Sequence, residues 1–441
     1  MNKNFRAQSF RYLPHVPQTW TAPIEVKKVL VTSYKKSRFH IASKGLGATA
    51  HSANSEGVPY GWGAATTGAI GDNTALAKST PVLVLGSHSF VNITNGTAFG
   101  VAVKRNGEAW SWGANASGQL GQNNVTVRST PTAVVGTLSF SSVVAGNTHC
   151  VGLVGTSAYT WGANAAGQLG DETVLAKSSP ILVVGSLSFA QVCAGTSYSL
   201  ARTAAGAAYS WGEGTNGKLG DGTAVSKSSP VLVSGSHTFS QVCAGSQSAY
   251  GLKSNGEVWA WGLGTSGQLG DNTSASKSTP VQVAGGHSFI QVVGGGSHAL
   301  GLKANGEAWA WGLNTSGQVG DGTATNKSTP VLVTGSLSFI TLGCGLDFSF
   351  GVAHDNQVYA WGLGTSGQLG DNTITSKSSP VAVTIPSAIN QERIISVNKA
   401  VIDVTAGQTY DLSFLINASV GAQVVANENA IFFDIIIERM S

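Results

Sequence analysis

Six aspartates recur in one context along the chain: Asp72, Asp171, Asp221, Asp271, Asp321 and Asp371, each preceded by a glycine and an aliphatic residue. A ring of loop carboxylates is raw material for calcium sites. A calcium loop, however, needs further oxygen ligands at alternate positions, and these loops lack them. Six residues after each aspartate stands a base: Lys78, Lys177, Lys227, Lys277, Lys327 or Lys377. One further copy carries Gln122 and Arg128 in the two places. The expectation is a turn-capping carboxylate paired with the base across its own loop, an exposed pair worth about 0–1 kcal/mol. No metal is expected there.

The histidines invite a metal or a general base. His88, His237 and His287 share a phase that holds Leu138, Leu187 and Leu337 elsewhere, and a position that accepts Leu is filling space. His149 and His298 stand where other copies have Tyr198 or Ser248. Cys150, Cys193, Cys243 and Cys344 show neither CxxC nor CxxH spacing, which argues against zinc. A disulfide framework is not expected in so long a chain, and Cys193 and Cys243, in matching "QVCAG" stretches, read as small buried apolar residues. The Gly-rich stretches do not lie between a strand and a helix, as a nucleotide loop would. No Ser–His–Asp set or carboxylate pair breaks the repeat pattern as a catalytic site should. No catalytic residue and no cofactor is therefore expected. One unit does depart from the rest: "WGEGTNGKLGDGT" places Glu213 and Lys218 where other copies hold apolar residues and Gln. With Arg202 they form a candidate binding edge.

These residues are positioned by a repeat. A Trp-Gly pair recurs at Trp62, Trp112, Trp161, Trp211, Trp261, Trp311 and Trp361, spaced by 50, 49, 50, 50, 50 and 50 residues. Pro81, Pro131, Pro180, Pro230, Pro280, Pro330 and Pro380 keep the same phase, and a phenylalanine opens each unit from Phe39 to Phe339. There are thus seven copies over residues 38–385. Each reads as four strands. In the sixth copy, "SFIQVVGGG" is a β-branched run ending in glycines, "HALGLKANGEAWAWG" alternates about an Asn-Gly hairpin signal, and "STPVLVTG" carries a proline suited to an edge strand. A unit of four short strands cannot bury its faces alone. Seven can, if they pack around an axis as a closed all-β propeller. The seven Trp-Gly tryptophans are expected to be buried between or within blades.

The motif W-G-x-G-x-x-G-Q-L-G-D-G-T, followed by S-x-P-x-x-V, resembles the regulator-of-chromosome-condensation repeat, which folds as a seven-bladed propeller. The resemblance covers about four fifths of the chain. It implies a rigid disc that binds proteins through its loops, as in a nuclear exchange factor that also binds chromatin and a secreted inhibitor of β-lactamase. Fold alone does not settle which function is carried.

The flanks are not propeller. Residues 1–37 contain a strand signal after Pro23, and residues 386–441 contain "RIISVNKAVIDV", "QTYDLSFLINAS" and "AIFFDIIIERM". Together they are expected to form a small β-domain that anchors or oligomerises the chain. The C-terminal strand is expected to pair with the stretch Ile24–Tyr34 and to be covered by another chain, because an exposed apolar edge aggregates. The pairing of "WTAP" with a later "VTAGQTY" is similar to a β-module of bacteriophage tail fibres and related virion proteins.

Composition agrees. Only 10% of residues are charged, against 58 glycines and a net charge of +4, which gives no dense basic face for nucleic acid. No apolar run reaches the ~20 residues of a membrane span. The N-terminal stretch has no apolar core of the signal-peptide kind, and a virion protein made in the host cytoplasm and released by lysis needs none. The reading is a non-enzymatic virion protein of a tailed phage, a tail fibre, receptor-binding or decoration protein, with a trimer as first expectation. Its partners would be other virion proteins or a host-surface molecule. The alternative is a bacterial extracellular propeller that binds and inhibits or scaffolds a partner protein. An intracellular exchange factor is disfavoured, since the uniform repeats leave no room for an inserted wedge.

Overall fold

Between its glycines the repeat is written in Val, Ile, Trp and Tyr, which favour a pleated, half-buried surface, and it folds as strands. The computed structural model describes residues 58–65, 67–355 and 357–384 in full, and outside them the backbone of seven further strands. Two compact units separate along the chain: Arg38–Ile389, and the two ends taken together, Met1–Ser37 with Asn390–Ser441.

The sixth blade shows the plan. Its strands Gln291–Gly294, His298–Leu302, Ala308–Gly312 and Lys327–Leu332 pair antiparallel in sequence order. The Asn-Gly signal does mark the hairpin, but the turn is longer than the two-residue type. Lys303 N–H donates to Glu307 O at 2.9 Å, and Gly306 N–H donates to Lys303 O at 3.0 Å. The last strand starts ahead of its proline, and Pro330 falls where the register slips between the partners Ala310 and Gly312. A residue without an N–H is tolerated at such a bulge on an outer strand.

Six sheets of this plan follow one another, and the sheet of the first repeat has three described strands, Thr49–Ala53, Pro59–Gly63 and Lys78–Leu83. Its opening stretch, with Phe39, lies outside the described residues. The ring closes. Trp62 of the first blade donates to Gln368 O of the seventh at 3.1 Å, and Asn372 N–H donates to Ser79 O at 3.1 Å.

Innermost strands are joined by side chains. The Gln241 amide donates to Val292 O at 3.1 Å and accepts from Val292 N–H at 3.1 Å. Gln191 does the same to Val242, and Gln291 to Leu342. Each glutamine supplies the neighbouring strand with the donor and acceptor that a further strand would have offered.

In the flanking unit a four-stranded sheet runs in the order Gln8–Arg11, Phe432–Ile437, Lys28–Ser33, Ala400–Asp403. Val29 pairs with Ile437 and Ser33 with Phe433, the pairing expected from the sequence. The expectation that another chain covers this strand is corrected for its second backbone edge. Gln8–Arg11 pairs with the other side of the C-terminal strand, so that strand is interior and its backbone needs no second chain. A second pair of strands, Thr19–Thr21 and Thr409–Asp411, sets Trp20 opposite Tyr410.

Candidate binding surfaces of the propeller

The Trp-Gly motif is a weld between blades. Trp311 donates its indole N–H to Gln268 O of the preceding blade at 3.0 Å, and Trp361 donates to Gln318 O at 3.1 Å. Trp112, Trp161 and Trp261 do likewise to Ala69, Gln119 and Lys218. All seven tryptophans are buried, Trp62 being the most exposed at 5%. Trp211 has no indole acceptor among the described residues; Ser199 Oγ donates to the matching carbonyl, Gln168 O, at 2.9 Å. The third glycine of the motif completes the joint. Gly267 has φ +79°, and a Cβ there would meet Ser328 Cα of the next blade at 2.7 Å. Only glycine fits that close approach.

The aspartates are committed to their own loops. Asp321 Oδ1 accepts from Thr323 N–H at 3.0 Å and Oγ1 at 2.7 Å, and Oδ2 lies 2.9 Å from Lys327 Nζ. The same Asp–Thr–Lys set recurs in the other five LGD-type loops. Arg128 donates to Gln122 Oε1 at 3.2 Å in the second blade. Burial works against the Asp321 carboxylate, but Lys327 and Thr323 outweigh it and hold its pKa below the usual carboxylate range.

Beyond each aspartate the loop reaches a tip, and there the blades differ. Leu76, Val125, Val127, Val174, Leu175, Val225 and Ile374 are 49–67% exposed. They belong to blades one, two, three, four and seven, which are consecutive around the closed ring. Blades five and six carry Ser274, Ala275, Ala324 and Thr325 instead. Since the same loop accepts Ser and Thr, the apolar tips are not demanded by the fold. Exposed apolar side chains gathered on neighbouring blades are the raw material of an interaction surface.

The structure does not bring Arg202, Glu213 and Lys218 together. Lys218 is wholly buried, its Nζ 2.7 Å from Glu213 Oε2. Burial pushes the Lys218 pKa down while Glu213 opposes it. Arg202 pairs with Ala208, whereas Tyr198 at the start of the same strand pairs with Gly212, next to Glu213. Four strand residues, about 13 Å, separate the two ends. Arg202 Nη1 donates to Thr203 O at 3.1 Å.

His149 and His298 are fully buried and link blades, with Nε2 to Ser199 Oγ at 3.1 Å and to Ser349 Oγ at 2.9 Å. Burial lowers both pKa values to about 4. These serines occur where the preceding blade supplies a histidine, a pairing visible in the sequence but missed there. Cys193, Cys243 and Cys344 are buried around a small space at the inner strands.

A second pattern missed in the sequence lies at the opposite end of the blades. His88, His237 and His287 lie 4.2–4.3 Å, centroid to centroid, from Trp110, Trp259 and Trp309. Lys104, Lys253 and Lys303 sit 4.1–4.5 Å from the same rings. Each lysine pairs with the glutamate after the Asn-Gly turn, Glu108, Glu257 or Glu307. Where Leu replaces His, Tyr159, Tyr209 or Tyr359 replaces Trp. That co-variation within one chain was the available signal.

The RCC1-like domain family matches residues 60–412. The comparison with curated proteins gives no match. The crystal structure of human WBSCR16 is similar at 20% identity and TM-score 0.68, over 74% of this chain and 94% of that one. Prp20p from Saccharomyces cerevisiae, studied with its binding to Gsp1p and histones, is similar at 18% identity and TM-score 0.67, over 81% and 88%. Yeast RCC1 (Prp20) bound to Kap60 gives 17% and 0.67, over 80% and 86%. At such identities these likenesses establish the fold, and the fold and the family match together agree with the inter-blade welds: the chain belongs to the RCC1-like domain family.

Proposed function

We propose that this protein is a non-enzymatic structural protein of a virion surface, that of a tailed bacteriophage, in which the flanking unit anchors and trimerises the chain and the propeller binds a host-surface molecule or another virion protein. The observation that carries the reading is in the flanks. The two halves of the fibre-like motif, Trp20–Thr21 and Thr409–Tyr410, lie at opposite ends of the chain and are partner strands in register. The apolar arc of loop tips supports the binding role, since it is exposed and off-centre on the ring. The same arc would serve the alternative, a bacterial extracellular propeller that binds and inhibits or scaffolds a partner protein.

The test is complementation of a phage lacking the gene. The full chain is expected to co-purify with particles, and residues 38–389 to remain soluble and unattached. If the propeller alone joins particles, anchoring belongs to the blades. If neither joins, the virion reading fails.

A further inference from the structure

A cleft of about 240 Å³ opens between the Asn-Gly turn of blade five and the connector into blade six. Asn255, Glu257, Gln282, Gly286, His287 and Ser288 line it. Ser288 Oγ donates to Asn255 O at 3.3 Å, and Phe289 N–H donates to Gly256 O at 2.9 Å, so turn and connector are tied together as one wall. Asn255 Oδ1 accepts from Glu257 N–H at 3.1 Å and fixes the turn.

Two of the residues that line this cleft depart from the repeat. Gln282 stands where the other blades have Leu83, Ala133, Leu182, Leu232, Leu332 and Ala382. Gly286 stands where four connectors carry Ser87, Ser186, Ser236 and Ser336, all held at φ between 48° and 51°. Gly286 keeps that left-handed backbone, at φ 61°, and an added Cβ would meet nothing within 4 Å. Three blades have an Asn-Gly-Glu turn, in residues 106–108, 255–257 and 305–307. Of these, the second alone faces a Gln, a Gly and a His; the other two face Ala133 with Leu138 and Leu332 with Leu337. A departure confined to one repeat, with several members on one cleft, is how a site announces itself in a symmetric molecule.

The lining defines the ligand. Besides the apolar Val258, Val283 and Phe289 it carries amide, carboxylate, imidazole and hydroxyl groups, which together offer both donors and acceptors. Its charge is balanced, because Lys253 lies 3.6 Å from Glu257. Burial and the nearby Lys303 lower the His287 pKa, against a smaller opposing pull from Glu307, and so favour the uncharged ring. A charge-balanced lining rich in donors and acceptors does not suit phosphate, a carboxylate ligand or a wholly apolar ligand, and its apolar part suits the carbon face of a ring. The volume equals that of about eight water molecules, room for one polyhydroxylated ring. We infer that this cleft binds one neutral pyranose unit of a surface saccharide through Gln282, Asn255, Glu257 and His287. The inference rests on the reading of the propeller as a host-surface binder and names the chemistry of what it binds.

The test uses the full-length protein and simple sugars: methyl α-glucoside, methyl α-mannoside, methyl β-galactoside and N-acetylglucosamine, with glucose phosphate as the anionic control, followed by saturation-transfer NMR. At least one neutral sugar is expected to bind with Kd on the order of 1–10 mM. Gln282→Leu with Gly286→Ser gives blade five the Leu232, Ser236, His237 pattern that its neighbour already folds with. This variant is expected to bind about tenfold or more weakly, close to the limit of detection at such affinities, with an unchanged melting temperature. Gln282→Ala, the residue of blades two and seven, serves if the double variant is unstable. The inference is overturned if no neutral sugar binds, if the variants bind equally well, or if the sugar phosphate binds best. Any of those results leaves the particle experiment above untouched, and absence from particles leaves the cleft testable.

Discussion

His149 and His298 show what a single position decides in a repeat. Each occupies a site that also accepts Tyr198, Ser248, Phe99 and Phe348, and each is neutral because charge cannot be hydrated there. The folded pKa of about 4 lies below the ordinary value of 6.5, so the unfolded chain binds more protons between them. Stability is then complete above pH ~6.5 and falls as pH drops toward 4, by about 2–3 kcal/mol per histidine. Replacing both by Phe should flatten that part of the profile, read as the difference between variant and wild-type denaturation midpoints at pH 7 and pH 4.5. An unchanged pH slope would show that the imidazoles are not the titrating groups. The sequence did yield the burial of the tryptophans and the turn-capping aspartates, because both recur at fixed phase; the indole bonds that join blades, some 43 residues apart, were not read from it. The histidine–serine links and the His–Trp–Lys stacks were also written there, but as co-variation between neighbouring copies. A position-by-position reading treats such exchange with Leu or Tyr as permissiveness.

The LGD-type loop is the element on which one geometry carries two kinds of side chain. In most copies a Gln Oε1 accepts a backbone N–H two residues back, as Gln268 does from Ser266 at 2.8 Å. In blade four Lys218 replaces it, the segment Thr215–Gly217 becomes a short 3-10 turn, and Asn216 takes a φ of 60°. Among the described residues, Glu213 is the ion-pair partner of that buried charge. Removing that partner with Glu213→Leu should cost about 3 kcal/mol, because the ammonium is stranded. Adding Lys218→Gln, which restores the residue of other blades, should recover most of the loss. The cycle is measured by urea denaturation. Single and double variants of equal stability would mean that the pair is not coupled. The sequence marked this loop as different and offered it as a binding edge with Arg202. It could not show that the lysine points inward, since exposure depends on the neighbouring blade rather than on the loop's own residues.

At the scale of the whole molecule, the propeller is legible from period alone. Seven in-phase copies must close or be capped, and the Trp62–Gln368 bond is the closure. The flanking sheet was legible as strands and as one pairing, but not as an order, because which strand covers the other side of Phe432–Ile437 is a long-range matter that short apolar runs do not encode. The proposal joins a protein-binding propeller to a flanking unit, built from both chain ends, in the proposed role of anchor. It is tested most directly by mass spectrometry of gradient-purified particles of the tailed phage proposed to encode the chain. Peptides from residues 38–389 and from 390–441 are expected together in the particle band, at a ratio to the major capsid protein that stays constant across the gradient. Their absence from that band, with the chain recovered instead from the soluble lysate, would contradict the assignment to the virion.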